Sequence, residues 1–182
     1  MTVKAFLDWE ERQPLKYEFD GFRPVAMTGG SVEHAVIQAN LITALGTRLR
    51  GKPCRVIGSE LKISVAGSIR YPDAVVVCSP IPPGAHVATA PVVSFEIVSP
   101  STSAVDHTVK SVEYRDTPSV QRYIIIEQAK PAATVFSRAG DDWVGHVVIG
   151  DVELIVPEID VTVPLMELYE DVVFLPDAEG PG

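Results

Sequence analysis

The sequence contains little cysteine, and it lacks the spacings of a metal-binding cysteine or histidine motif. Cys54 and Cys78 are the only cysteines and lie in Val- and Ile-rich stretches, so we expect free thiols that act as small buried hydrophobes. A disulfide is not expected. The four histidines are scattered, and neither a CxxC nor an HxxxH pair occurs, so the usual ligand spacing of a structural zinc site is missing.

A hydrophobic run long enough to cross a bilayer is also missing, and the first ten residues lack the apolar segment of a signal peptide. We therefore expect a cytoplasmic protein that does not associate with a membrane. With 182 residues and a hydrophobic fraction of 46%, the chain can form one sizeable core. We expect a single domain over residues 1–175 and a disordered tail over residues 176–182.

Basic residues are scarce, because 15 lysines and arginines face 24 acidic residues and give a net charge of −9. This balance disfavours a broad basic surface for nucleic acid, so any DNA binding should be weak or depend on a recruiting partner. A local strip of four cations remains near the end of a predicted helix: Arg48, Arg50, Lys52 and Arg55. These cations could contact phosphate, or they could complement the dipole at the helix C-terminus.

Local patterns predict a hairpin, one long helix and a β-rich remainder. Two half-apolar runs flank Asp20-Gly21 within residues 16–27, which is typical of a β-hairpin. Ser31 can cap a helix whose apolar residues recur at helical spacing as far as Gly51. Beyond it the patterns predict strands between residues 54 and 98, a surface loop over 79–85, a short helix over 106–115, a strand over 121–127, and two or three further antiparallel strands.

Two acidic residues occur at segments predicted to be buried strands. Glu96 is the one ionisable group in the apolar run over residues 92–98, and Asp73 directly precedes the run over residues 74–77. A carboxylate removed from water is destabilising unless it is paired, protonated or bound to a cation. Two acids on neighbouring strands could share one cation, and oxygen ligands completed by the Ile97 carbonyl favour Mg²⁺ or Mn²⁺. Alternatively, Asp73 is a turn residue after proline and Glu96 pairs with a buried base.

A lysine on the following short helix could serve the same site. Lys110 and Tyr114 are four residues apart and therefore lie on one helix face. The apolar Val109 and Val112 are expected beside them, which would put the ammonium at the margin of the core. There it could orient a water and stabilise charge that develops on a phosphoryl group. The alternative is an Asp106–Lys110 helix pair worth roughly 0.3 kcal/mol.

An ordered set of short motifs spans residues 17–168. The set comprises Tyr17-Glu18, Asp20-Gly21, a histidine at the head of the long helix, Tyr71-Pro72-Asp73, the segment from Glu96 to Thr102, Asp106, Lys110, Tyr114 and Tyr123. Each motif is weak alone, but in this order they resemble the Uma family of restriction endonucleases in the PD-(D/E)XK nuclease superfamily. The resemblance implies an α/β (α+β) fold with a restriction-endonuclease-like core, in which helices flank a mixed β-sheet that carries additional antiparallel strands.

The resemblance also implies roles for three residues, with Asp73 as the first motif acid, Glu96 as the second, and Lys110 as the lysine. The superfamily motif has its lysine two residues after the second acid, where this chain has Val98. The family supplies the lysine from the next helix instead. Residues 117–127 depart from the family pattern around the tyrosine, which makes this chain a divergent copy.

These residues predict a metal-dependent endonuclease that hydrolyses phosphodiester bonds in DNA, with a homodimer as the expected assembly. Mg²⁺ or Mn²⁺ would polarise the phosphate and acidify a water, while Lys110 positions that water. Further candidates for the site or its support are His34, Glu18, Glu60 and Tyr114. Two alternatives remain open: a catalytically inactive nuclease fold that acts as a binding or assembly module, and a non-enzymatic β-rich scaffold whose buried acids are ion-paired.

Overall fold

The computed structural model describes residues 1–27, 29–99 and 106–174. It begins with helix α1 (Val3–Glu10), which the sequence patterns did not predict. The hydroxyl of Thr2 caps this helix by accepting a hydrogen bond from the backbone N–H of Ala5. The buried ring of Phe6 stacks on Phe19 at a centroid distance of 5.1 Å, so α1 packs on the strand that follows it.

The predicted hairpin and the predicted long helix are both confirmed. Strands β1 (Tyr17–Phe19) and β2 (Pro24–Ala26) pair antiparallel across a turn in which the Asp20 carboxylate accepts the N–H groups of Phe22 and Arg23. Helix α2 (Val32–Leu49) follows, and the Ser31 hydroxyl accepts the N–H of His34 at 3.3 Å. The cap therefore fixes where α2 begins.

The rest of the described chain is mainly β-structure, interrupted by one short helical segment. The strands are β3 (Arg55–Gly58), β4 (Lys62–Val65), β5 (Ser68–Arg70), β6 (Ala74–Val77), β7 (Val87–Ala88), β8 (Pro91–Val98), β9 (Arg122–Glu127), β10 (Ala132–Ala139), β11 (Asp142–Ile149), β12 (Glu153–Val156) and β13 (Val161–Pro164). A π-helical turn (Asp106–Lys110) runs directly into helix α3 (Ser111–Arg115). Two 3₁₀ turns (Pro157–Ile159 and Leu165–Tyr169) flank β13.

These strands form a six-stranded sheet in the order β11-β10-β9-β8-β6-β3 and a five-stranded sheet in the order β2-β1-β5-β4-β7. In the larger sheet β8 and β9 are parallel and the other pairs are antiparallel, so the expected mixed sheet is present. Four strands follow β9, rather than the two or three expected, and β12 pairs with β13 as a separate hairpin. Residues of both sheets, of α2 and of the short helical segment contribute to the candidate site.

Strand β8 separates two hydrophobic clusters because successive side chains point to opposite faces of a sheet. Phe95 and Ile97 pack in the cluster that contains the apolar residues of α2. Val98 packs in the other cluster with Tyr114 from α3. By this alternation Glu96 points to the α3 side, and it is 5% exposed. The strand therefore directs one acid at the short helix.

Cys54 and Cys78 form a disulfide, so the expectation of free thiols was wrong. Strands β3 and β6 are antiparallel with Arg55 opposite Val77, so the residues just outside this pair also face each other, with Cα atoms 3.9 Å apart. Strand register decides this contact, and a separation of 24 residues along the chain gives no sign of it.

Several expectations fall outside what the structure describes. The predicted tail over residues 176–182 and residues 100–105, which hold part of the motif after Glu96, lie outside the described residues. The single domain over residues 1–175 stays a prediction. Across the three described ranges, each helix is too short or too polar to span a membrane.

Candidate functional site

Asp73 stands immediately before β6, at the edge of the site. Its Oδ2 accepts a hydrogen bond from the backbone N–H of Ile97 at 2.7 Å. Ala74 pairs with Phe95 in the ladder of β6 and β8. Asp73 therefore lies just before β6, and its carboxylate is anchored on the backbone of the residue that follows Glu96 in β8.

His34, in the first turn of α2, holds the other oxygen of the same carboxylate. Its Nε2 lies 3.1 Å from Asp73 Oδ1, and this hydrogen bond raises the pKa of His34 although burial opposes the rise. Gln38, one turn further along α2, donates to the backbone carbonyl of Asp73 at 2.9 Å. A Cβ at Gly30 would lie 2.8 Å from His34 Nδ1, so a glycine there leaves room for the imidazole. Helix α2 thus holds both the side-chain carboxylate and the backbone carbonyl of Asp73.

Glu96 is held by two donors from the helical segment. Its Oε1 accepts the hydroxyl of Tyr114 at 3.0 Å and lies 3.1 Å from Lys110 Nζ. Burial, reinforced by the charge of Glu96, raises the pKa of Tyr114 well above its ordinary value, so the phenol keeps its proton and donates. The alternative of an ion pair between Glu96 and a base is therefore present, and the base is the predicted site lysine.

The helical segment directs Lys110 and Tyr114 inward as expected, but its valines do not lie beside them. Val109 is 47% exposed and Val112 is 48% exposed, so the prediction that both border the core beside the lysine was wrong. Positions three and four apart share a helix face, whereas positions one or two away turn to another face. The Asp106 side chain is outside the described part of the chain, and the Asp106–Lys110 pair stays a prediction.

Glu18 joins the site from β1, in the five-stranded sheet. One of its oxygens, Oε1, accepts the backbone N–H of Tyr71 at 3.1 Å and lies 3.6 Å from Lys110 Nζ. The other, Oε2, accepts an N–H of Arg70 at 3.0 Å. Glu18 therefore links the lysine of the helical segment to an arginine of β5.

Arg70 and Glu113 complete this group, and sequence reasoning missed both. Arg70 is 4% exposed and donates to both oxygens of Glu113, at 2.7 and 2.6 Å. Burial alone would lower the pKa of Arg70, but Glu113 and Glu18 together raise it, so the guanidinium is charged. Glu113 could have been found from its position, because it lies three residues after Lys110 on the same helix face.

Glu60 is not brought into this group. Its side chain is 87% exposed and pairs with Lys16 at 2.6 Å.

Two of the four cations in the basic strip have acidic partners, because Arg48 binds Glu167 and Lys52 binds Asp160. Its remaining members, Arg50 and Arg55, are exposed and form no ion pair within the part of the chain that the structure describes.

The oxygens that a metal ion would use at the candidate site are those of the predicted ligands, the carboxylates of Asp73 and Glu96. Among the described residues, there is no group of three or more His, Cys, Asp or Glu side chains arranged to hold a metal ion. Mg²⁺ is usually bound through one or two carboxylates and keeps several waters, so a pair of hard oxygen ligands fits its chemistry. The predicted role of the Ile97 carbonyl stays a prediction; the contact seen at this residue is its N–H on Asp73.

Comparison with known proteins bears on both the fold and the family. The crystal structure of a putative nuclease belonging to DUF820 from Anabaena variabilis aligns with a TM-score of 0.79 and 18% identity, over 93% of this chain and 98% of that chain. This likeness supports a restriction-endonuclease-like core. In Synechocystis sp., the uncharacterized protein slr1290 is 33% identical over 147 residues, covering 79% of this chain and 77% of that protein.

A second protein of Synechocystis sp., the uncharacterized sll1609, is 25% identical over 157 residues, covering 83% of this chain and 89% of that protein. The family Uma2, described as putative restriction endonuclease, matches residues 3–164. That match contains every residue of the site described above. The chain therefore belongs to the Uma2 family of putative restriction endonucleases.

Proposed function

We propose that this protein is a metal-dependent endonuclease that hydrolyses phosphodiester bonds in DNA, with Mg²⁺ or Mn²⁺ as its cofactor. The observation that carries the proposal is the 3.1 Å contact between Lys110 Nζ and the buried carboxylate of Glu96. Asp73 is anchored on the backbone of the residue next to Glu96. A buried carboxylate paired with a lysine, together with a second carboxylate bound to the backbone of the next residue, supports phosphoryl chemistry at this position.

Asp73 and Glu96 would hold the ion, with the Ile97 carbonyl as a further ligand. When bound, the ion supplies Lewis-acid polarisation of a phosphate and lowers the pKa of a water. Asp73 is suited to this task because both of its oxygens are already oriented, one by His34 and one by the Ile97 N–H. Groups that orient ligands in this way are part of the working design of metal sites.

Lys110 would act on the attacking water or on the phosphoryl oxygens. Its side chain is 12% exposed, so the ammonium sits at the rim of the buried group, where a bound phosphate could reach it. An ammonium in this position donates hydrogen bonds to oxygens that gain negative charge in the transition state. Tyr114, which is fully buried, would hold Glu96 in place rather than contact the substrate.

The acidic balance of the chain favours weak or recruited DNA binding. Few exposed cations are free of acidic partners, and Arg50 and Arg55 are two within the described ranges. Affinity for a duplex depends strongly on the number of phosphates that such cations neutralise. A homodimer would double this number and would present two sites to one duplex, so we include dimerisation in the proposal.

Turnover tests the proposal directly. Plasmid, linear duplex and single-stranded DNA would be incubated with the wild type, Lys110→Ala and Lys130→Ala in Mg²⁺ or Mn²⁺. We expect metal-dependent cleavage that is lost in Lys110→Ala and kept in Lys130→Ala, since Lys130 is an exposed lysine 3.6 Å from the neighbouring Glu127. Cleavage that survives Lys110→Ala would contradict the role of the lysine. No cleavage by the wild type would contradict the enzyme.

A catalytically inactive binding or assembly module is the second candidate. It is favoured by the state of the two acids, since Glu96 is paired with Lys110 and Asp73 with His34. Such a protein would bind metal or DNA without turnover. A third candidate, a β-rich scaffold, would show neither. Metal binding and DNA binding measured by calorimetry, together with the cleavage assay, separate the three.

A further inference from the structure

We propose that Arg70 is a positioning residue for Lys110, which it controls through Glu113 and Glu18. This inference rests on the proposed function, because it concerns the lysine of that same site. Arg70 lies on β5 in the five-stranded sheet, whereas Lys110 ends the π-helical turn that leads into α3. Arg70 therefore connects two parts of the fold that meet at the site.

The first connection fixes the rotation of the helix. Arg70 donates through Nε and through a terminal nitrogen to the two oxygens of Glu113, and Ser68 adds a third hydrogen bond at 2.9 Å. A two-pronged arginine–carboxylate pair restrains orientation as well as distance. Glu113 lies three residues after Lys110, so a helix turned by this pair also sets the direction of the lysine.

The second connection acts on the ammonium itself. Arg70 holds Oε2 of Glu18 at 3.0 Å, while Oε1 of Glu18 lies 3.6 Å from Lys110 Nζ. Lys110 thus has an acid on each side, Glu18 from one sheet and Glu96 from the other. If Arg70 releases Glu18, the lysine loses one of these two restraints.

These four side chains are largely buried, so their hydrogen bonds depend on one another's positions. The side chains of Arg70, Glu18, Glu113 and Lys110 are 5%, 12%, 12% and 12% exposed. In such surroundings a lost hydrogen bond is poorly replaced by solvent, and the remaining charges rearrange. A lysine at position 70 would keep the positive charge but could not form the two-pronged contact.

The chain offers a matched control in Arg122. This arginine is 8% exposed and binds both oxygens of Glu158 at 2.9 Å, and it has no contact with Lys110 or its partners among the described residues. Arg122→Lys therefore removes a buried two-pronged pair without touching the site. Comparing Arg70→Lys with Arg122→Lys separates a positioning effect from general damage to a buried ion pair.

The experiment measures kcat and KM for cleavage of linear duplex DNA, together with the stability coupling between Lys110 and Glu96. The coupling comes from a double-mutant cycle of Lys110→Met and Glu96→Gln, repeated with Arg70→Lys and with Arg122→Lys in the background. We expect Arg70→Lys to lower kcat by roughly 10- to 100-fold with KM little changed. We also expect it to reduce the coupling by roughly half or more. Arg122→Lys should change neither quantity.

Glu113→Gln provides a second variant if Arg70→Lys fails to fold, and it should reproduce the loss of kcat and of coupling. The inference is overturned if either folded variant keeps the wild-type kcat and coupling, or changes them no more than Arg122→Lys does. A wild type without turnover would contradict the proposed function alone. In that case the coupling measurement still decides the role of Arg70, since it does not depend on cleavage.

Discussion

At the scale of single residues, the carboxylate of Asp73 has both of its oxygens engaged. Asp73 receives His34 on one oxygen and the Ile97 N–H on the other. His34 is in turn positioned by the cap of α2 and by the space that Gly30 leaves. Under the proposed function, a histidine placed in this way would orient a metal ligand and contribute little to the hydrophobic core.

We therefore expect His34→Ala to weaken metal-dependent activity by roughly 10- to 100-fold, the range typical for a group that orients a metal ligand. The free energy of unfolding without metal should change little, because the imidazole is partly exposed. Metal titrations and urea unfolding of the same samples check both statements. A large loss of stability with an unchanged metal response would make His34 a structural residue instead.

At the scale of elements, α1 is fastened to the rest of the fold by a buried ion pair. Glu10 binds Lys62 at 2.6 Å and accepts the hydroxyl of Tyr71 at 2.8 Å. Burial alone would raise the pKa of Glu10, but these two partners outweigh it and lower the pKa from its ordinary value of 4.5. Tyr71 also gives its backbone N–H to Glu18, so α1 is coupled to the edge of the site.

This pair predicts a dependence of stability on pH. A carboxyl whose pKa is lowered by folding stabilises the fold above its unfolded pKa, and this contribution is lost as pH falls through the folded value. Glu10→Gln should cost about 3–5 kcal/mol near neutral pH, because it leaves the Lys62 charge buried. It should also flatten the fall in unfolding free energy below pH 4.5. Urea unfolding across this pH range provides the measurement, and an equally steep acid dependence in the variant would contradict it.

The same element shows why part of the fold could not be predicted. The hairpin and α2 were predictable because Asp20 and Ser31 make their decisive hydrogen bonds within three residues along the chain. Helix α1 has eight residues and is held by Lys62, which is 52 residues away from Glu10. A contact of that kind depends on tertiary packing, which local patterns do not encode.

The candidate site divides in the same way. Asp73 and Glu96 could be selected because ionisable residues are unexpected at apolar stretches. Lys110 could be selected from its four-residue spacing to Tyr114 and from the family resemblance. Arg70 and Glu113 are 43 residues apart, and their contact requires β5 to face α3. Strand register likewise brings Cys54 to Cys78. The sequence could therefore predict which residues are candidates, but it could not predict which distant residues they contact.

At the scale of the whole molecule, metal binding should stabilise the folded chain. An ion that binds only the folded state adds stability by mass action, about 2.7 kcal/mol at ~100 times its Kd. We expect Mg²⁺ or Mn²⁺ to raise the Tm of the wild type, and Asp73→Ala or Glu96→Ala to abolish most of the rise.

Two controls accompany this measurement. Lys110→Ala should keep the rise in Tm, because the role proposed for the lysine is not that of a metal ligand. Glu60→Ala should keep it too, since that acid is exposed and paired with Lys16. A rise that persists in both Asp73→Ala and Glu96→Ala would place the ion elsewhere, and no rise in the wild type would remove the metal from the proposal.

The site draws its residues from four separate parts of the chain: α2, the five-stranded sheet, the six-stranded sheet and the short segment over residues 106–115. The complete site therefore exists only in molecules in which all four parts are folded at the same time. The least stable of them determines how often that is so, because local opening needs less free energy than global unfolding. The short segment has ten residues and two outward-facing valines, so it should open first. The measured rate would then be the intrinsic rate multiplied by the fraction of molecules in which this segment is closed.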